Sequence, residues 1–171
     1  MRRNTGLLFA LTVITFIITG MVPRINGGIR VLAQDVVHPD DPYKAREALY
    51  ERFTARDHGV VLDTKHGLEW FVGPDKDTTW NEAKFWVESL SVDGGGWRMP
   101  ARDELSSLYT EGAGSQNMSP LLKTTGGFVW TGETVGSTYA WGFCFEIGDA
   151  YWPLHTYSET ARGFAVRSAK P

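Results

Sequence analysis

Residues Thr79-Trp80-Asn81-Glu82-Ala83-Lys84-Phe85-Trp86-Val87-Glu88-Ser89-Leu90 read as one helix. The segment Gly94-Gly95-Gly96-Trp97-Arg98-Met99-Pro100-Ala101-Arg102-Asp103-Glu104-Leu105 reads as a stop, an elbow and a second helix. Thr79 followed three residues later by Glu82 is a capping box, in which each side chain satisfies a free amide of the first turn. Ala83, Trp86, Val87 and Leu90 then repeat at i, i+3, i+4 and i+7, so one stripe faces a core. Three consecutive glycines end that helix. The second helix begins after Pro100 with Leu105, Leu108 and Tyr109 inward. Its N-cap is Ala101, which has no acceptor for the free amides, and Ser or Thr there would add ~1 kcal/mol.

Working outward, the period changes from helical to alternating. Upstream, Val60 and Leu62, then Leu68 and Trp70, flank Thr64-Lys65-His66-Gly67, a hairpin turn with Gly67 supplying positive φ. Downstream of Gly112, short strands are expected at Phe128 to Thr131, Ala140 to Ile147, Tyr151 to Tyr157 and Gly163 to Arg167. Two helices inside a run of hairpins make an α+β fold with short antiparallel sheets and long loops. Ahead of this domain, residues 58–171, lies a linker and flanking helix at residues 34–57. Asp41 and Pro42 start that helix, which is expected to reach about Asp57, with Ala45, Ala48, Leu49, Arg52 and Phe53 on its packing face.

Residues 1–33 read as a secretory signal peptide: Arg2 and Arg3, an apolar run over residues 6–22, then Val31-Leu32-Ala33 before Gln34. The rival reading is an uncleaved N-terminal membrane anchor through the same residues 6–22. Either way the domain is expected outside the cytoplasm: secreted, periplasmic or at the cell surface. Without the leader the chain carries 13 basic and 20 acidic residues, a formal charge of −7. That sign disfavours nucleic acid, anionic membrane surfaces and heavily sulfated glycans. A single cysteine among 171 residues excludes an internal disulfide framework, a four-cysteine zinc site and a paired-thiol redox motif.

The order of the motifs carries a resemblance. His58-Gly59-Val60-Val61-Leu62-Asp63-Thr64-Lys65-His66-Gly67-Leu68-Glu69-Trp70 precedes the Thr79-Trp80-Asn81-Glu82-Ala83 helix start. Gly96-Trp97-Arg98-Met99-Pro100 with Arg102-Asp103-Glu104-Leu105 follows, then Val129-Trp130-Thr131-Gly132-Glu133, Ala140-Trp141-Gly142-Phe143 and Gly163-Phe164-Ala165-Val166-Arg167. Over about residues 58–168 the chain resembles the C-terminal domain of the Legionella collagen-like adhesin, a branch of the C-type-lectin-like fold. The resemblance implies paired N- and C-terminal strands, two helices, a short sheet with a variable loop face, and extracytoplasmic adhesion or ligand binding without catalysis. The chain departs from the adhesin in lacking a collagen-like Gly-X-Y tract, so the trimerising stalk and its avidity are missing.

Each chemical candidate has a plainer rival. Trp97-Arg98-Met99-Pro100 with Glu104 pairs a guanidinium and a carboxylate, but in lectin-like folds this segment is a structural elbow. Calcium-dependent lectins use Glu-Pro-Asn or Gln-Pro-Asp tripeptides, which are missing here, and Trp80-Asn81-Glu82 is spent on a helix start. Asp75 and Asp77 offer too few oxygens for a calcium site, so no metal and no cofactor are expected. Formylglycine-generating enzymes share the superfamily fold but need two cysteines. Cys144, between Phe143 and Phe145, reads instead as a buried thiol. A hydrolase built from His155 with Glu146 or Asp149 has no supporting nucleophile motif.

The segment Asp149 to Thr160 is the candidate ligand face, with Asp149, Tyr151, Trp152, His155 and Tyr157 as the candidate ligand-binding residues. Alternation places Tyr151, Pro153, His155 and Tyr157 on one side and Trp152, Leu154 and Thr156 on the other. Displayed aromatics with polar tips suit recognition of a glycan or a protein surface. An edge strand with ordinary core aromatics is the rival. The sequence therefore reads as an exported, non-enzymatic, adhesin-like binding module, with homo-oligomerisation left open. The alternatives are a structural or assembly subunit of an envelope or appendage complex docking through residues 42–57, and a diverged formylglycine-generating-type enzyme.

Overall fold

The computed structural model describes residues 42–170, with side chains from residue 47. The chain runs through α1 (Pro42–Arg52), β1 (Phe53–Ala55), β2 (Val61–Asp63), β3 (Leu68–Val72), α2 (Trp80–Glu88), α3 (Arg102–Leu108), β4 (Phe128–Val135), β5 (Tyr139–Cys144), β6 (Asp149–Tyr151), β7 (Ala161–Arg162) and β8 (Phe164–Ser168). Three helices and two four-stranded sheets make the class α+β, with strand orders β1-β2-β3-β8 and β6-β5-β4-β7. The expected signal peptide or anchor at residues 1–33 and the linker at 34–41 lie outside the described residues. Among the described residues no helix is long and apolar enough to cross a membrane.

The Thr64–Gly67 hairpin forms as expected: β2 and β3 pair antiparallel and Gly67 turns at φ 62°. The last strand, β8, lies antiparallel beside β3, so the two ends of the domain meet in one sheet. Neighbours in register there, Glu69 and Arg167, are both buried and joined at 2.7 Å. Arg167 also donates to the carbonyls of Val92, Asp93 and Gly95 and lies 4.1 Å over the Trp97 ring. One guanidinium thus ties the closing strand to the glycine-rich stop after α2. Burying this pair is tolerable because every charge has a partner.

The flanking helix is shorter than its sequence pattern predicts. α1 ends at Arg52, because Phe53–Ala55 leave the helix to pair with Val61–Asp63. Leu49 and Phe53 are buried in the main core, while Ala48 is exposed. Helical periodicity alone does not register this ladder, which overrides local propensity. Residues expected in a flanking segment are therefore part of the packed unit.

α2 carries the expected capping box: Thr79 N–H donates to Glu82 Oε2 at 2.8 Å, and Glu82 N–H donates to Thr79 Oγ1 at 3.4 Å. Ala83 and Val87 are buried on its inner face. The Trp97–Pro100 segment is a structural elbow. Trp97 is buried, Arg98 exchanges two backbone hydrogen bonds with Val166, and its guanidinium grips Glu104 at 2.5 and 2.7 Å. Hydrogen bonding from Arg98 holds the Glu104 carboxyl below its ordinary range.

The second sheet is mixed, not wholly antiparallel as the sequence suggests: β7 runs parallel to β4. The loop from β6 re-enters the sheet beyond β4, so its short return strand meets β4 in the same direction. Trp130 Nε1 donates to the Thr78 carbonyl and Trp80 Nε1 to the Thr131 carbonyl, cross-bonding α2 and its entry loop to β4.

Candidate functional site

Antiparallel strands place successive side chains on opposite faces. In β5, Ala140 and Cys144 point to a cluster containing Trp80, Phe128 and Trp130, and Gly142 backs on the Phe128 ring. Tyr139, Trp141 and Phe143 occupy the opposite face. At one end of that face Phe143 and Val129 are core, covered by Leu105 and Leu108 of α3. Arg102 is the first residue of α3, and among the described residues the sheet face beyond it is left exposed. The uncovered end carries Val135, Tyr139, Trp141, Trp152 and Leu154, of which all but the partly covered Trp141 are exposed.

β6 ends at Tyr151, not at Tyr157 as its alternating pattern predicts. Pro153 has no N–H to donate, which interrupts the ladder. The register nevertheless persists past the strand. Tyr151 opposes Gly142, Leu154 bridges Tyr139, Ala140 N–H donates to the Pro153 carbonyl and His155 N–H to the Thr138 carbonyl. Trp152 therefore stands opposite Trp141, with ring centroids 4.5 Å apart and planes at 61°.

This register sorts the sequence candidates. Trp152 is 51% exposed and lies on the uncovered face. Tyr151, which is 37% exposed, and the partly buried His155 and Tyr157 turn the other way. Tyr151 packs on Phe128 at 4.7 Å, Tyr157 packs edgewise on Phe128 and Trp130, and the His155 ring stacks on Trp80 at 4.5 Å. Burial, with Cys144 and Tyr157 nearby, pushes the Tyr151 phenol up to about 12, so it stays neutral at ordinary pH. Asp149 is exposed and accepts from the amide of Ala150. Among the described residues His155 bonds neither Glu146 nor Asp149, and its Nε2 is buried without a partner.

Of the uncovered face and its polar edge, Val135, Tyr139, Trp141, Leu154, Arg102 and Glu133 escaped the sequence reading as site candidates. Trp141 was legible only as a motif residue, although extending the antiparallel register past Gly142 would have paired it with Trp152. Arg102 lies 4.2 Å over the Trp141 ring. Glu133 accepts from Arg102 Nε at 2.6 Å and from the Arg102 backbone amide at 2.9 Å. That carboxylate from β4 supplies an acceptor at the start of α3, where Ala101 has none.

The remaining candidates are engaged in packing or ion pairs. Asp75 and Asp77 both bind the buried Arg162 guanidinium, at 2.7 and 2.9 Å. Hydrogen bonds from Arg162 and from the Thr125 amide lower the Asp75 carboxyl to about 2. Among the described residues no group of three metal-ligating side chains gathers. Cys144 is a buried free thiol on β5.

No curated protein matches the chain. A family model, that of the Lcl C-terminal domain, matches residues 59–167, from the turn before β2 almost to the end of β8. Both sheets, the elbow and the aromatic face fall largely within that range. The chain therefore belongs to the Lcl C-terminal domain family.

Proposed function

We propose that this chain is an extracytoplasmic, non-enzymatic binding module of the adhesin type, built on a C-type-lectin-like arrangement. It holds a glycan or protein ligand on the face formed by Tyr139, Trp141, Trp152 and Leu154. One observation carries the reading: a single sheet face is core beneath α3 and bare beyond it, leaving contiguous aromatic and aliphatic side chains in water. Contiguous exposed apolar patches of this kind mark interaction sites. Membership of a domain family named for an adhesin supports the same reading. The leader-like residues 1–33 support export.

The other readings have less support. An assembly subunit docking through residues 42–57 would use the apolar stripe read there, yet Leu49 of α1 and the adjoining Phe53 are spent in the core, while Tyr50 is exposed. A formylglycine-generating-type enzyme would need a second cysteine and an accessible Cys144.

Binding of the purified, labelled full chain to cell surfaces, read by flow cytometry, tests the proposal. Trp152→Ala is expected to lose at least about tenfold in binding, as a central aromatic contact does. Phe85→Ala, which removes an exposed aromatic from α2, is expected to bind as the parent does. Equal binding by Trp152→Ala and the parent would remove this face as the site.

A further inference from the structure

We infer that the ligand on this face is an uncharged saccharide, with one sugar ring against the exposed side of Trp152 and its hydroxyls directed at the Arg102–Glu133 pair. This rests on the reading above that the face is the binding surface. Three observations select the ligand class.

The first is extent. Among the described residues the apolar part of the bare face consists of five side chains, Val135, Tyr139, Trp141, Trp152 and Leu154. A stable protein interface engages roughly 20–30 residues on each side. Five side chains fit one or two sugar rings.

The second is the chemistry of the surface. Trp152 is half exposed and held by its contact with Trp141. An indole face carries negative charge density, and the axial C–H groups on one side of a pyranose present weakly positive hydrogens to it. Beside the rings stands a polar pair, Arg102 over Trp141 and the Glu133 carboxylate that holds it. Arg102 Nε is committed to Glu133, but among the described residues neither of its Nη nitrogens has a hydrogen-bond partner. Those nitrogens are donors only, and the neighbouring carboxylate is an acceptor only. A hydroxyl is both, so adjacent hydroxyls satisfy the two together.

The third is charge. The cation over Trp141, Arg102, is neutralised by Glu133 at 2.6 Å. The chain as a whole is acidic, with a formal charge of −3. A sulfate or carboxylate on the ligand would meet Glu133 and a repulsive long-range field. An uncharged sugar meets neither.

Isothermal titration of the full chain with cellohexaose, chitohexaose and mannohexaose as neutral probes, and heparin as a polyanion, tests this at low and high salt. The same samples are followed by tryptophan fluorescence. The expected result is binding of at least one neutral probe, unchanged by salt, with a fluorescence change that Trp152→Ala abolishes. Affinity falls at least about tenfold in that variant. Heparin binding alone, lost both at high salt and in Trp152→Ala, would overturn the uncharged class and leave the face as the binding surface. No saccharide binding, with cell-surface binding still lost in Trp152→Ala, would overturn the inference in favour of a protein ligand. Neutral-sugar binding that Trp152→Ala leaves intact would overturn the placement. No saccharide binding, with cell binding unaffected by Trp152→Ala, would overturn both the inference and the proposed function.

Discussion

Glu133 on β4 caps α3 from outside the helix: its carboxylate accepts from the backbone amide of Arg102 at 2.9 Å and from the same residue's Nε at 2.6 Å. A seven-residue helix whose N-cap is alanine thus acquires an acceptor from the neighbouring sheet. The same contact holds the Arg102 guanidinium over Trp141. Helix start, sheet and aromatic face are therefore fastened through one carboxylate.

Glu133→Ala is accordingly expected to destabilise the domain by about 1–2 kcal/mol, combining a lost cap with a partly exposed ion pair. Ala101→Ser is expected to recover up to about 1 kcal/mol of that loss, by accepting from an amide of the first turn. Denaturant unfolding of the single and double variants reads both. An Ala101→Ser variant no more stable than its parent would show that the first turn is already fully satisfied.

Trp152 and Tyr157 lie five residues apart in sequence but differ in what they support. Trp152→Ala removes a half-exposed ring and one edgewise contact, so the expected cost is about 1 kcal/mol. Tyr157→Ala withdraws a ring wedged against Phe128 and Trp130, and the expected cost is about 2–3 kcal/mol. Melting temperatures by calorimetry separate the two. Equal losses would mean that Trp152 is a packing residue.

Gly142 is required for space and not for backbone freedom. A Cβ there would stand 2.1 Å from the Phe128 ring, which is itself pinned between Trp130, Tyr151 and Tyr157. Gly142→Ala is expected to cost about 2–3 kcal/mol as an overpacked core. A variant as stable as the parent would show that the Phe128 ring can move aside.

Asp75 gives the fold an acid-sensitive tether. Its folded-state carboxyl sits at about 2, below the ordinary 3.8, chiefly through hydrogen bonds from Arg162. A lowered value contributes stability that is present above the unfolded value and lost as pH falls through the folded one. The loss is therefore expected between about pH 4 and pH 2. It is moderated by salt, because the carboxylate is partly exposed. Asp63 and Glu104 shift in the same direction. Asp75→Asn is expected to flatten the pH dependence of unfolding in that window. An unchanged slope would place the acid sensitivity elsewhere.

Cys144 lies on β5 behind buried aromatics. A thiol reagent added to the native chain is expected to leave it unmodified, and to react once denaturant opens the sheet. Rapid native modification would reopen a catalytic role for this thiol.

The sequence alone determined the features governed by neighbours within a few residues. The Thr79–Glu82 capping box, the Thr64–Gly67 turn and the glycine stop all depend on local hydrogen bonds and backbone angles, and the Trp97–Pro100 elbow adds to its local Arg98–Glu104 pair a long-range bridge to Val166. Alternation even separated Trp152 and Leu154 from His155 and Tyr157, because a continued register preserves sidedness where the strand itself has ended. Only the tertiary structure decided which side faces water. That depended on where α3 stops along the sheet, a matter of packing between segments some forty residues apart. The early end of α1, the parallel return of β7 and the Glu133 cap on α3 likewise come from long-range pairing. In each, a partner distant in sequence supplies the hydrogen bond or the cover, and no local pattern encodes it.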